Sequence, residues 1–467
     1  MPVQANPMSS TYERLRRLQA LRGRRTSTGP TETSMPELPA TDRAAARAPI
    51  EALEAGEIVE NSAGSCYLVT RRFTAFEQEE TSTRSARGQA APANLLQCDP
   101  SILAPLYPGY GLDRCPDFRT AAFLDIESTG LGGGAGIYAF MVGVGTFEQE
   151  EGAADGSAEF PEFVVRQFFM RHPGEEPALL TALTHLLRNC SSLVTFNGRS
   201  FDAPLLRGRY RYTGRFLPAG VQMPSVLDSS APHLDLLHPA RRLWRKRLGS
   251  CSLSNLERAV LGRTRTEDDV PGSLIPQLYA DYLRDGDGSQ MQRVFYHNRE
   301  DIVSMAVLAE VIYRAFAEPT TTDSGALQPL DLLNLARLQM ELERLDRAET
   351  LFRVALEQLN GRAPLAETFD GLGRLLKRQR RWDEAVAVWQ QWLTTVRGPG
   401  DAPDSRPYVE LAKYYEWQSG DLAQAAMWTQ WALHEQEQTP VHGRSPQAQA
   451  ELRHRLARIQ RKLEADG

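Results

Sequence analysis

No apolar run in this 467-residue chain reaches the roughly 18 residues that a helical membrane span needs, so no membrane partner is expected. The first residues, MPVQANPMSSTYERLRRLQALRGRR, lack the apolar core of a secretory signal. They are polar, rich in arginine and poor in acids, a composition that transit peptides also share. Cysteine is sparse and odd in number: Cys66, Cys98, Cys115, Cys190 and Cys251, with no pair at metal-ligand spacing. A disulfide scaffold and a zinc site are thereby disfavoured, and reduced thiols in a cytoplasmic protein are expected. Excess positive charge is also missing. The formal net charge is −6, so any contact with nucleic acid has to come from local basic patches. With 42% hydrophobic residues the chain can bury a sizeable core, and its length suggests two or three domains.

Residues 1–50 are polar and rich in Pro, Ser, Thr and Arg, and are expected to be a disordered basic region with at most a short helix at 11–22. Residues 51–104 read as a β-hairpin, turning at Ala63-Gly64, followed by a polar loop. From residue 120 the pattern changes. Short apolar runs ending near Glu127, and at 137–147, 163–170 and 192–198, predict strands; 175–189 has helical spacing, and helices follow to about 316. That order predicts an α/β domain, a mixed central sheet flanked by helices. A hairpin turn is expected around 152–157.

Residues 327–467 read as all-α and repetitive. Self-similar stretches begin at Leu335, Leu372 and Leu411, with small residues at matched places: Ala336, Gly373 and Ala412, then Ala348, Ala385 and Ala425. Small residues there let paired helices pack closely. The stretches resemble tetratricopeptide repeats, whose concave face usually binds a short protein segment. The polar helix 446–464 suits a cap, most of the tryptophans (Trp382, Trp389, Trp392, Trp417, Trp428 and Trp431) are expected in the core, and the repeats are expected to fold separately.

Asp125 and Glu127 stand two apart at the end of an apolar strand, which puts both carboxylates on one face. Two such neighbours repel unless a cation lies between them, and hard divalent cations favour oxygen ligands. A solvated D-x-E on an edge strand is the plain alternative. The glycine-rich STGLGGGAG that follows lets backbone approach a ligand, with Thr129 and Gly130 as candidate substrate contacts. Asp202 follows a strand-to-helix turn that carries Asn197, another candidate contact, although an aspartate there also suits a helix cap. Asp301 is read at the start of a helix, where it would also serve as a dipole partner.

Together, D-x-E at a strand end, N-x-x-x-F-D and H-N-x-x-D resemble, in order and chemistry, the motifs of the DEDD exonucleases of ribonuclease H-like fold. More closely, with HLDLLHPARRLWRKRLGSCSLSNLERAVLG and the repeats behind it, the chain resembles the bacterial YprB-like ribonuclease H-like proteins. The resemblance implies an exonuclease domain over 105–318. In it Asp125, Glu127, Asp202 and Asp301 would hold two Mg²⁺ or Mn²⁺ ions, with a general base beside them. In that superfamily the base is a histidine five residues before the last aspartate or a tyrosine four before. Here Tyr296 lies five before Asp301 and His297 four before, each type at the other's spacing. His297 is the preferred base because its ordinary pKa lies near working pH.

Arg241, Arg242, Arg245, Lys246 and Arg247 surround Trp244 within seven residues. Such a segment suits phosphate contact and base stacking, or else a solvated amphipathic helix. His233 and His238, flanking Asp235, either bind substrate or cap a helix. The expected function is a divalent-metal-dependent 3′→5′ exonuclease on DNA or RNA, with a protein partner on the repeats. The alternative is a non-catalytic nucleic-acid-binding adaptor.

Overall fold

The computed structural model describes residues 48–73, 92–99, 102–103, 117–130, 136–148, 162–266, 268–317, 327–396, 404–439 and 445–466. The expected helix at 11–22, the N-terminal arginines, Cys115, the glycine run 131–135 and the turn at 152–157 lie outside the described residues.

Seven strands form one mixed sheet: β1 (Glu57–Asn61), β2 (Gly64–Phe73), β3 (Ala121–Ser128), β4 (Ala139–Glu148), β5 (Glu162–Phe169), β6 (Ser192–Thr195) and β7 (His233–Asp235). Their spatial order is β1-β2-β5-β4-β3-β6-β7. The strands from β1 to β3 pair antiparallel, whereas β3, β6 and β7 run parallel. The hairpin turns at Ala63-Gly64 as expected, with Gly64 at φ +124°. It pairs with β5 along Tyr67–Phe73, so the sheet begins upstream of the boundary expected at residue 105.

Helices α1 (Glu176–Leu187), α2 (Asp202–Thr213), α3 (Leu237–Leu248) and α4 (Ile275–Asp285) surround the sheet, and α5 (Ser289–Ala317) crosses one face. Asp301 lies in the middle of α5, not at its start. The helix begins twelve residues earlier, where the carboxylate of Asp287 accepts from Ser289 N at 3.0 Å and Ser289 Oγ at 2.9 Å. The reading of Asp301 as a first-turn dipole partner is thereby excluded. On the face under α5, Phe123, Phe163, Val165 and Ile302 are buried, and on the other Leu124, Phe140, Val142 and Leu180. With both faces covered, β3 and β4 read as continuous apolar runs.

The repeat region is three antiparallel helix pairs: α6 (Pro329–Glu341) with α7 (Leu345–Gln358), α8 (Arg362–Arg378) with α9 (Trp382–Val396), and α10 (Arg406–Tyr414) with α11 (Leu422–Gln438). A Cβ on Gly373 would stand 2.3 Å from Trp389 Nε1, so the small residue there is required for close packing. The final helix α12 (Pro446–Asp466) caps the stack: Arg455 and Arg458 donate to the Glu416 carboxylate, and Ile459 is buried. Trp389 and Trp392 are core residues, but Trp417 and Trp431 are 55% and 45% exposed, against expectation. Trp431 repeats the spacing of Trp392 but not its burial. One side of its ring lies over Tyr408, 6.5 Å between centroids, and much of the rest faces solvent.

Residues 48–467 form one compact unit. The repeats are therefore not a separate body, and α3 is the reason. Leu243 and Trp244 are fully buried in a core that continues through Leu332, Leu333 and Ala336 of α6. Asn334 Nδ2 donates to Leu243 O at 2.9 Å. Arg247 Nε donates to both oxygens of the buried Asp331 at 3.0 and 2.9 Å, while Arg242 pairs with Glu341 and Lys246 with Glu367. The expected role of Trp244 as a stacking platform is overturned, because the indole is enclosed; Arg242 is exposed and pairs at the surface with Glu341 of the repeats. Arg241 and Arg245 are exposed. Among the described residues no helix is long and apolar enough to cross a membrane.

Removing one partner of a buried ion pair strands the other charge. Asp331→Ala is expected to lower stability by roughly 3 kcal/mol. In urea the sheet domain and the repeats are expected to unfold in one transition. Two separated transitions in the native chain would show that the shared core does not couple them.

Candidate active site

The site lies at the carboxyl ends of the parallel strands β3, β6 and β7, the edge at which open α/β sheets usually bind ligands. Asp125 and Glu127 close β3, and the pairing with β4 shifts register after Glu127. Asp125 lies opposite Gly143, and Gly143 opposite Gln167 on β5, so these residues form one row across three strands. Asn298 of α5 is seated on that row, fully buried. Its Nδ2 donates to Asp125 Oδ2 at 2.8 Å, and its Oδ1 accepts from Gln167 Nε2 at 2.9 Å. A Cβ on Gly143 would stand 2.2 Å from Asn298 Oδ1, so glycine is required. Sequence reading assigned no role to Asn298, Gln167 or Gly143. The glycine pair in VGVG was the available signal, since glycine within a strand often marks a close approach.

Asp202 is presented by the turn after β6. Asn197 takes φ +68°, a left-handed conformation that asparagine tolerates. Its N–H donates to Asp235 Oδ1 at 2.8 Å, Leu237 N donates to the same oxygen at 3.1 Å, and Arg199 N donates to Asp235 Oδ2 at 3.2 Å. The buried Asp235 thus fixes the turn from β7. Phe201 takes the cap position and Asp202 the first helical one. A Cβ on Gly198 would lie 2.6 Å from Asp202 Oδ2, so the carboxylate folds back over the turn. Thr129 closes the loop after β3: its N donates to Tyr138 O and its Oγ1 accepts from Tyr138 N, both at 3.0 Å. Gly130 O accepts from Ser128 Oγ at 2.8 Å.

His297 and Asp301 are one turn apart on α5 and share a face, with Nε2 3.9 Å from Asp301 Oδ2. His297 Nδ1 lies 2.7 Å from Asp269 Oδ1. A carboxylate cannot donate, so Nδ1 carries the proton and Nε2 is left as the acceptor facing the acids. Tyr296, one residue away and rotated by about 100°, points elsewhere: its Oη accepts from Thr266 N at 3.0 Å. His233 takes no part. Its Nε2 lies 2.8 Å from Thr195 Oγ1, and burial, with Arg199 and Arg207 nearby, lowers its pKa to about 3.

The carboxylates act on one another. Burial raises Asp125 well above the ordinary range, and Asp301 and Asp202 add to it. Burial raises Glu127 likewise, with Asp125, Asp301 and Asp202 behind it. Asp202 is pushed up to about 7 by burial, then by Asp235 and Asp301. Asp301 is raised by burial against the pull of His297 and Arg265. Among the described residues no three His, Cys, Asp or Glu side chains close around one point as an ion cage. The donor set nevertheless fits a hard divalent cation: oxygen only, half-buried, and short of positive charge.

A model of the ribonuclease H superfamily matches residues 122–313. Those residues are a ribonuclease H superfamily domain. A tetratricopeptide-repeat model matches residues 368–403, the second helix pair and the segment after it. The uncharacterized protein YprB of Bacillus subtilis (strain 168) is 29% identical over 345 residues, which cover 73% of this chain and 74% of that protein. The ribonuclease H domain supports a nuclease in general, and the superfamily's usual dependence on divalent metals agrees with the donor set.

In the metal-free protein these acids hold protons more tightly when folded than when unfolded. For Asp202 the native state then binds more protons between pH 3.8 and about 7, so its contribution to stability is lost as pH rises through that window. Asp202→Asn is expected to be neutral near pH 4 and stabilising by about 1–2 kcal/mol at pH 8 in EDTA. A variant less stable than wild type at pH 8 by urea denaturation would contradict the proposed strain among the acids.

Proposed function

We propose that the protein is a divalent-metal-dependent nuclease, acting as a 3′→5′ exonuclease on DNA or RNA. The observation that carries this is the placement of four acids from three elements about the carboxyl ends of β3 and β6: Asp125 and Glu127 end β3, Asp202 opens α2 after β6, and Asp301 lies about one turn along α5 from Asn298, which bonds Asp125. These four residues would hold Mg²⁺ or Mn²⁺, two ions in the full reading. Bound there, the ions lower the pKa of a water and stabilise charge on the phosphate.

The protein's own groups do the remaining work. Asn298 and Asp235 hold Asp125 and the Asp202 turn in place before substrate arrives. His297 Nε2 accepts the proton of the attacking water as its oxygen bonds to phosphorus and the bond to the leaving 3′-oxygen breaks. Asp269 fixes the tautomer this requires and stabilises the imidazolium that forms. The exposed Arg241 and Arg245, with Asn197, Thr129 and Gly130, are the proposed contacts to nucleic acid. The repeats are proposed to recruit a protein partner.

End-labelled single- and double-stranded DNA and RNA, incubated with Mg²⁺ or Mn²⁺, read polarity and substrate class from one product ladder. Cleavage is expected to vanish in EDTA and in Asp125→Asn. His297→Ala is expected to lower the rate by roughly 10²–10⁴-fold and Tyr296→Phe far less. Full activity in Asp125→Asn would remove the metal mechanism, and binding without cleavage would favour the adaptor.

A further inference from the structure

One cation stands inside the acidic cluster, and the nuclease mechanism above makes no use of it. After the one-turn helix Leu253–Leu256 the chain makes a π-helical turn over Glu257–Leu261, and Gly262, at φ +68°, reverses it. Such turns are frequent at functional sites. The reversal brings Arg265 back onto Glu257: Nε donates to Oε2 at 2.8 Å and Nη2 to Oε1 at 2.6 Å. The side chains of Arg265 and Glu257 are only 10% and 3% exposed. A bidentate pair of this kind fixes the guanidinium plane. Its far edge then reaches the site. Nη2 also donates to Asp301 Oδ1, and Nη1 lies 3.5 Å from Asp269 Oδ1 and 3.2 Å from His297 Nδ1.

A purely structural ion pair would be complete with Glu257. Here the same guanidinium bonds one of the four acids and reaches Asp269, the acceptor of His297 Nδ1–H. It opposes a divalent cation electrostatically, since like charges at contact range repel strongly in a half-buried site. Its benefit is geometric, because it ties down Asp301 and, through Asp269, the imidazole whose orientation decides proton transfer.

We propose that Arg265 is a positioning residue: clamped by Glu257, it holds Asp301 and the His297–Asp269 pair in register while weakening the site's hold on a divalent cation. This rests on the reading of the four acids as a divalent-ion site. The proposal predicts that two properties separate on mutation. Mn²⁺ binding to the intact protein, measured by electron paramagnetic resonance without nucleic acid, is expected to tighten by about tenfold or more in Arg265→Gln. Cleavage kcat is expected to fall by roughly a hundredfold with KM nearly unchanged. Arg265→Lys keeps the charge but loses the planar fork, so Mn²⁺ binding stays near wild type while kcat still falls. Because Arg265→Gln leaves Glu257 buried and unpaired, the double variant Glu257→Gln/Arg265→Gln is measured beside it and is expected to show a smaller tightening, since the more distant Glu257 charge that attracts the cation is lost as well. Unchanged or weaker Mn²⁺ binding in a folded Arg265→Gln or double variant overturns the proposal. Wild-type protein that binds no Mn²⁺ removes the divalent-ion reading itself, and the proposal with it.

Discussion

The close seating of helix α5 on the sheet organises the site. Gly143 leaves a gap in the row Asp125–Gly143–Gln167, and the amide of Asn298 fills it, bonded on both sides. Gly145 continues the gap under Ile302, where a Cβ would stand 2.7 Å from Ile302 Cγ2. Because α5 lies this near, Asp301, about one turn beyond Asn298, stands close enough for its charge to raise the Asp125 and Glu127 carboxyls that β3 presents. A bulkier residue in β4 would lift the helix and separate the two halves of the cluster.

The cluster is built against its own electrostatics. Burial raises all four acids, Asp125, Glu127 and Asp202 are raised further by acids of the cluster and Asp301 by Glu257, and fixed donors oppose this: Asn298 on Asp125 and Arg265 on Asp301. Such preorganisation is what a site needs if charge is to be stabilised without rearrangement. Asp235 plays the matching role on the other side. It spends its carboxylate on three backbone N–H groups, which makes it a brace for the turn carrying Asp202.

The basic helix α3 shows how local charge misleads. Five cations around a tryptophan resemble a nucleic-acid footprint, yet three of them meet Asp331, Glu341 and Glu367 on the repeats. The acids lie 84 to 121 residues away in sequence, beyond the reach of any spacing argument. The same helix follows directly from the Asp235 strand, so the repeats and the site share a mechanical neighbour.

The sequence by itself determined the fold class, the order of segments and the repeats, each written in short-range periodicity: apolar runs for strands, small residues at fixed places for helix pairs. D-x-E on one face of a strand was legible in the same way, whereas Asp202 and Asp301 were named as candidates only through the resemblance that the combined motifs carry. Burial of the repeat tryptophans was only half legible, because Trp431 keeps the spacing of Trp392 without its cover. Tertiary structure alone placed His297, and not Tyr296, beside Asp301, since one residue turns a side chain by about 100° and only packing says which face meets that acid. It alone brought in Asp269, Arg265, Glu257 and Gln167, which carry no motif, and it alone turned Trp244 inward. Contacts between distant segments depend on how helices and sheet pack, and local spacing holds no record of that packing.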